Sequence, residues 1–267
     1  MTGFIEDFFT VSDLADADFP RLKAGTEVLS AAAKIAGATV PERLRSLIAA
    51  VDGRTVFTTS FGIEDQLIAH HIFTEQLPIE VATLDTGRLF PSTYKLWQET
   101  EERYGLRIRA YYPDARAVAD MVADQGINGF YHSKDARLSC CNVRKVEPLR
   151  RALAGASAWI TGLRADQSGQ RSAIELASWD GERGLIKLAP LFDWTREQIA
   201  AECDALDVPV NELHSKGFPS IGCEPCTRAV RPGEPERAGR WWWERDEAKE
   251  CGLHVGPDGR LQRSKAA

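Results

Sequence analysis

Short β-branched and apolar runs alternate with segments of helical spacing through the middle of this chain, the pattern of a parallel sheet covered by helices. Strands are predicted over 55–59, 79–84, 107–112, 158–161 and 185–188. Between them, Leu67, Ile68, Ile72 and Phe73 recur on one face of a helix predicted over 64–75. A second helix, over 91–104, opens on Pro91, at a position where a missing N–H costs nothing. Residues 1–40, rich in alanine and acids and without a motif, read as a helical or poorly ordered extension. Beyond Gly222 the periodicity breaks, and Pro225, Pro232, Pro235, Pro257 and the run Trp241-Trp242-Trp243 describe an irregular tail laid over the domain. The expected organisation is an extension over 1–40, an α/β nucleotide-binding domain over 41–222 with helices on both faces of a mostly parallel twisted sheet, and a tail over 223–267.

Composition narrows the function class. With 267 residues and 43% hydrophobic content, the chain can bury a substantial core as one main domain. No apolar run approaches the ~20 residues a bilayer crossing needs. The N-terminal Met1-Thr2-Gly3-Phe4-Ile5-Glu6-Asp7 lacks the basic-then-apolar order of an export signal, so a cytoplasmic enzyme is expected. A formal charge of −6 argues against a general nucleic-acid binder. Locally the balance reverses: between 228 and 245, Arg228, Arg231, Arg237, Arg240 and Arg245 stand against Glu234, Glu236 and Glu244. On its own, that is equally a solvated surface segment.

The cysteines carry the sharpest signal. Four of the six form two tight pairs, Cys140-Cys141 and Cys223-x-x-Cys226, separated by residues 142–222. Four thiolates can close the shell of zinc or of an iron-sulfur cluster. Adjacent cysteines suit one tetrahedral ion poorly, because neighbouring side chains diverge, whereas a cluster offers each sulfur its own iron. Spacing favours the cluster and leaves zinc open. Cys251, in Lys249-Glu250-Cys251-Gly252-Leu253-His254, stands outside both pairs and is the candidate nucleophile. Cys203 reads as a buried structural thiol, and the tryptophan run as packing.

In open parallel sheets, ligands bind beyond the carboxyl ends of the strands. Three of the following turns suit an anionic ligand: Thr59-Ser60-Phe61-Gly62, Asp85-Thr86-Gly87-Arg88, and Thr161-Gly162-Leu163-Arg164 with Arg171 beyond. Singly each is no more than suggestive, and for the first an ordinary strand-to-helix turn is the commoner explanation. Together they point to a nucleotide or a comparable anionic ligand.

Ser60-Phe61-Gly62-Ile63-Glu64-Asp65, Leu84-Asp85-Thr86-Gly87-Arg88, Cys140-Cys141-Asn142-Val143-Arg144-Lys145, Ile221-Gly222-Cys223-Glu224-Pro225-Cys226 and Glu250-Cys251-Gly252-Leu253-His254 together resemble the assimilatory sulfonucleotide reductases, most closely their bacterial adenosine phosphosulfate (APS) branch. The resemblance runs from about residue 40 to about 255. It implies the adenine-nucleotide alpha-hydrolase-like (PP-loop) fold and a [4Fe-4S] cluster on Cys140, Cys141, Cys223 and Cys226. It also implies thioredoxin-dependent reduction of APS to sulfite and AMP through an S-sulfocysteine on Cys251. Lys145, Arg237, Arg240 and His254 would assist at the sulfate or cluster. Ser60, Gly62, Asp85, Thr86, Gly162, Arg164 and Arg171 would line the nucleotide pocket. A homo-oligomer, in the form of a tetramer, is implied as well, with no nucleic-acid or membrane partner.

Members that use the 3′-phosphorylated nucleotide (PAPS) typically lack the four cluster cysteines, which favours APS, with PAPS or dual use as the alternative. Two rivals differ in class. An adenylating or thiolating enzyme on the same fold would carry Ser-Gly-Gly where this chain has Ser60-Phe61-Gly62. A zinc-stabilised binding module would be indifferent to loss of Cys251.

Overall fold

The computed structural model describes residues 37–168 and 171–244. Helix α1 (Val40–Ala50) leads into β1 (Thr55–Thr59), α2 (Ile63–Thr74), β2 (Glu80–Leu84), α3 (Pro91–Tyr104), β3 (Arg109–Tyr111) and α4 (Ala115–Gln125). A 3₁₀ turn (Gly129–Tyr131), α5 (Lys134–Cys141), a π-helical turn (Asn142–Val146) and α6 (Glu147–Leu153) then return the chain to β4 (Ala158–Ile160). After these come the β5 (Ala177–Asp180) and β6 (Leu185–Leu188) hairpin and α7 (Arg196–Ala205). The six strands lie in the order β3-β2-β1-β4-β6-β5. All neighbours are parallel except β5 and β6.

Period-two alternation divides the core between the two sheet faces. Phe57, Ile160 and Leu188 point to one face, where Leu44 and Leu47 of α1, Leu67 and Ile68 of α2, Leu96 of α3 and Ile199 of α7 cover them. Val56, Trp159 and Leu185 point to the other, against Leu149, Ala152 and Leu153 of α6. Truncating one of the fully buried leucines to alanine would cost roughly 2–5 kcal/mol. A third, smaller cluster gathers Phe130, Cys223, Cys226 and Trp241, with Cys140 and Trp243 against it. Thus Cys223, Cys226, Trp241 and Trp243 pack on the segment between β3 and β4 rather than in the main core.

Helix starts follow local chemistry. Thr39 and Glu42 form a capping box on α1, Asp114 caps α4 through the Ala117 N–H, and Thr195 with Gln198 caps α7. Glycine at φ +65 ends α3 at Gly105.

The mostly parallel sheet with helices on both faces agrees with expectation, and α3 has the predicted bounds. The strands predicted over 107–112 and 158–161 are shorter, ending at Tyr111 and Ile160. Strand β5 was not foreseen, because Ala177-Ser178-Trp179-Asp180 is a short polar edge strand. Its pairing comes from the hairpin that Asp180 stabilises by accepting from the Arg183 N–H at 3.1 Å and the Arg183 guanidinium at 2.8 Å. No described helix is long and apolar enough to cross a membrane.

Candidate active site

From β1 the chain steps outward to β2 and β3 on one side, then returns to β4 on the other. At such a switch point the two crossovers diverge and leave a crevice beyond the carboxyl ends of β1 and β4. A cleft enclosing about 1250 Å³ of empty space, part of it open to solvent, lies here. Ser60, Gly62, Thr86, Gly162 and Arg171 line it from the strand turns, and Lys145, Arg237 and Arg240 line it from the π-helical turn and the tail.

The floor of the cleft is tightly built. Phe61 holds φ +60, a backbone region that glycine occupies more cheaply, and it is retained there by full burial and a stack on Trp97 with centroids 5.6 Å apart. Gly162 faces the start of α2 so closely that an added Cβ would stand 2.2 Å from Asp65 Oδ1. Asp65 Oδ2 accepts the Ser60 backbone N–H at 2.6 Å and the Ser60 hydroxyl at 2.8 Å. Burial pushes its carboxyl up to about 6, against those two hydrogen bonds, and the Glu64 charge adds to the rise.

Asp85 and Arg164, both expected at the nucleotide, are not among the lining residues. Asp85 Oδ1 accepts from the Gly87 N–H at 2.8 Å and the Tyr94 hydroxyl at 2.7 Å, so it shapes its own turn. The Arg164 guanidinium is fully buried, with Glu64, Asp166 and Glu236 at 2.8, 3.0 and 2.6 Å. Its charge is already neutralised within the protein.

Behind the cleft lies a second cavity, with about 380 Å³ of empty space. Cys140, Cys141, Cys223 and Cys226 line it together with Arg88, Phe130, Arg137, Arg144, Lys145, Pro225 and Trp241. Lys145 and Trp241 line both cavities and so form their common wall. Cys140 and Cys141 end α5 in helical geometry, which turns the two side chains about the axis by roughly 100°. The π-helical turn that follows presents Arg144 and Lys145. Cys223 caps a single 3₁₀ turn (Glu224–Cys226) that has Pro225 as its second residue and Cys226 as its last.

None of the five described cysteines is in a disulfide. Burial opposes ionisation of Cys223, but Lys145, a hydrogen bond with the Thr86 hydroxyl at 3.3 Å, and Arg240 outweigh it and hold this thiol below its ordinary value. Burial raises Cys140 despite Arg144, and it pushes Cys226 up to about 12 with Cys223 adding to the rise. Arg137, Arg237 and Arg240 lie over the Trp241 ring at 4.6, 5.9 and 4.8 Å. The buried indole N–H groups of Trp241 and Trp243 have no acceptor among the described residues.

Among the described residues, no three His, Cys, Asp or Glu side chains form a group arranged to hold a metal ion. The four-sulfur donor set nevertheless fits a sulfur-bridged cluster. Each thiolate would take a separate iron, and the unpaired indole N–H groups beside them suit sulfur acceptors.

Residues 54–229 match the family model of the phosphoadenosine phosphosulfate reductase domain. The chain belongs to the phosphoadenosine phosphosulfate reductase family. The adenosine 5′-phosphosulfate reductase of Sinorhizobium fredii (strain USDA 257) is 60% identical over 210 residues, 79% of this chain and 84% of that protein. The enzyme of the same name from Agrobacterium fabrum is 56% identical over 232 residues, 87% of this chain and 89% of its own length. A crystal structure of the Candida auris phosphoadenylyl-sulfate (PAPS) reductase in a phosphate complex superposes with a TM-score of 0.64 at 26% identity, covering 76% of this chain and 96% of that one.

Within this reductase family fold, Cys251 and His254, the expected nucleophile and its neighbour, lie outside the described residues. Several residues around the cysteines were not singled out from sequence. Arg144 donates to the Thr86 carbonyl at 2.7 Å, and Arg137 pairs with Glu244 at 2.5 Å. Both arginines stand one helical turn from a cysteine, Arg137 from Cys141 and Cys140 from Arg144. That spacing was a readable signal. Trp241, expected only to pack, is the wall between the two cavities.

Proposed function

We propose that this chain reduces adenosine 5′-phosphosulfate to sulfite and AMP. The Cys251 thiolate attacks the sulfate sulfur, the bond from sulfur to the phosphate oxygen breaks, and AMP leaves with that electron pair. The enzyme is left as an S-sulfocysteine. A thiolate of thioredoxin then attacks the Cys251 sulfur and expels sulfite, and the second thioredoxin thiol resolves the mixed disulfide, supplying two electrons in all.

The observation that carries the reading is the shared wall. A cleft at the sheet's switch point, lined by Lys145, Arg171, Arg237 and Arg240, backs directly onto four cysteines. Attack on a sulfur ringed by anionic oxygens needs cations placed in advance, and these are the cleft's cations. Ser60, Gly62, Thr86 and Gly162 supply the turns for the nucleotide. Cys140, Cys141, Cys223 and Cys226 would hold a [4Fe-4S] cluster. Bound there, it supplies a fixed sulfur-rich charge behind Lys145. His254 would act beside the nucleophile. The reading carries a cytoplasmic setting, where thiols stay reduced, and a homo-oligomer, a tetramer by the family resemblance.

The test is anaerobic. Purified chain should contain about four irons per polypeptide, and incubation with APS should leave a sulfonate adduct on Cys251 in the intact mass spectrum. Substituting Cys251→Ser should abolish sulfite release with thioredoxin present. Iron-free protein, or sulfite production that survives the substitution, overturns the reading; higher turnover on PAPS than on APS reassigns the substrate.

A further inference from the structure

The loop that carries Arg237 and Arg240 leaves the cysteine region at Arg228 and returns to it at Arg240. It closes on itself through the Thr227 and Arg240 bridge and the Arg228 N–H to Gly239 carbonyl bond at 3.0 Å. Its own Arg228 and Glu234 form a pair at 2.8 Å. Those contacts shape the loop but do not orient it over the cleft. Glu236 does make a contact of that kind. Its two carboxylate oxygens accept from Arg164 Nη2 at 2.8 and 2.6 Å, and Arg196 Nη1 stands 3.7 Å away.

Arg164 is in turn fixed on the other side. Its Nε donates to Glu64 Oε1 at 2.8 Å, and Gln167 donates to the same oxygen at 3.0 Å. Glu64 belongs to the first turn of α2, beside the Ser60-Phe61-Gly62 turn of the cleft. A guanidinium with no exposed surface therefore ties the nucleotide turns after β1 and β4 to the residue immediately before Arg237. A buried ion network of this kind contributes little net stability, because desolvation offsets most of its Coulomb energy. What it does supply is fixed geometry, since a planar fork accepts its carboxylates in few orientations.

We propose that Glu236 is a positioning residue, which through Arg164 holds Arg237 over the anion cleft. This rests on the reading above that the cleft binds APS. Removing the carboxylate charge while keeping its shape should let the loop shift, so that Arg237 loses its placement on the anion.

The experiment measures APS affinity by calorimetry in anaerobic, cluster-loaded Cys251→Ser protein, in which the nucleotide is not turned over. Glu236→Gln, Arg237→Gln and the double variant are compared, with circular dichroism and iron content to verify folding and Glu236→Asp as the conservative variant. Glu236→Gln should weaken APS binding by about tenfold, the equivalent of one charge-assisted hydrogen bond. Glu236→Asp should restore part of the affinity. In the double variant, the loss should be smaller than the product of the two single losses, because the second change removes an effect already gone. Losses that multiply, or Glu236→Gln binding as well as its parent, overturn the proposal. A parent protein that binds no APS at all overturns the functional reading instead.

Discussion

Asp65 offers a test in which the sign as well as the size is fixed by the structure. Its carboxyl is 8% exposed, and burial lifts it from 3.8 to about 6. A carboxyl raised in the folded state favours the protonated form there. Its contribution to stability is therefore complete below pH ~4 and is lost as pH rises through 6. At ~1.4 kcal/mol per tenfold, the difference between 3.8 and about 6 converts to a total of up to about 3 kcal/mol. About 1 kcal/mol of it falls between pH 5 and pH 7.

In Asp65→Asn the side chain is neutral throughout, and its carbonyl can still accept the Ser60 N–H. Urea unfolding at steps from pH 5 to pH 8, run anaerobically on both proteins, should show the variant gaining on the parent by about 1 kcal/mol from pH 5 to 7. His71, which burial holds down to about 4, titrates alike in both proteins and cancels from the difference. A stability difference that stays flat with pH, or a parent that gains on the variant as pH rises, refutes the reasoning.

Two further outcomes follow from burial and pairing. Arg137→Gln leaves Glu244, 8% exposed, without its partner and should cost roughly 3–5 kcal/mol, read as a lower urea midpoint and as iron lost during purification. Cys203→Ala removes a fully buried thiol that points at the Ile63 carbonyl at 3.9 Å, in the core between the sheet and α2 and α7; it should cost about 1–2 kcal/mol in unfolding while sulfite production from APS is unchanged.

Much of the fold was legible because parallel strands are continuous apolar runs and their helices have clear starts. Thr55-Val56-Phe57-Thr58-Thr59 and the Pro91 helix needed only local information. Strand β5 did not yield to it, since Ala177-Ser178-Trp179-Asp180 becomes a strand only through its pairing with β6. The cysteine pairs and the glycine turns were equally visible, because ligand spacing and turn chemistry are written locally. The two arginines of the turn after β4 show where such reading stops. Arg164 and Arg171 look alike in sequence, yet the structure puts Arg171 at the cleft and Arg164 in a buried network. The partners that decide this, Glu64 and Glu236, lie 100 and 72 residues away.

Trp241, too, takes its place from residues distant in sequence, Arg137 among them. A tryptophan run next to prolines reads as packing, and Trp241 does pack, at 1% exposure. Packing alone does not explain why three guanidinium groups approach one ring. Cations crowd poorly together unless each has a compensating surface, and an indole face supplies one without consuming a carboxylate. A carboxylate in that place would compete for the same guanidinium groups, as Glu64 and Glu236 hold Arg164, and the cleft already counts both of those carboxylates and Asp65 among its lining residues. The Trp241 indole N–H is buried and has no acceptor among the described residues. Trp241 thus lies between the two cavities as an apolar, cation-bearing wall, with Arg137 on the cysteine side and Arg237 and Arg240 on the cleft side.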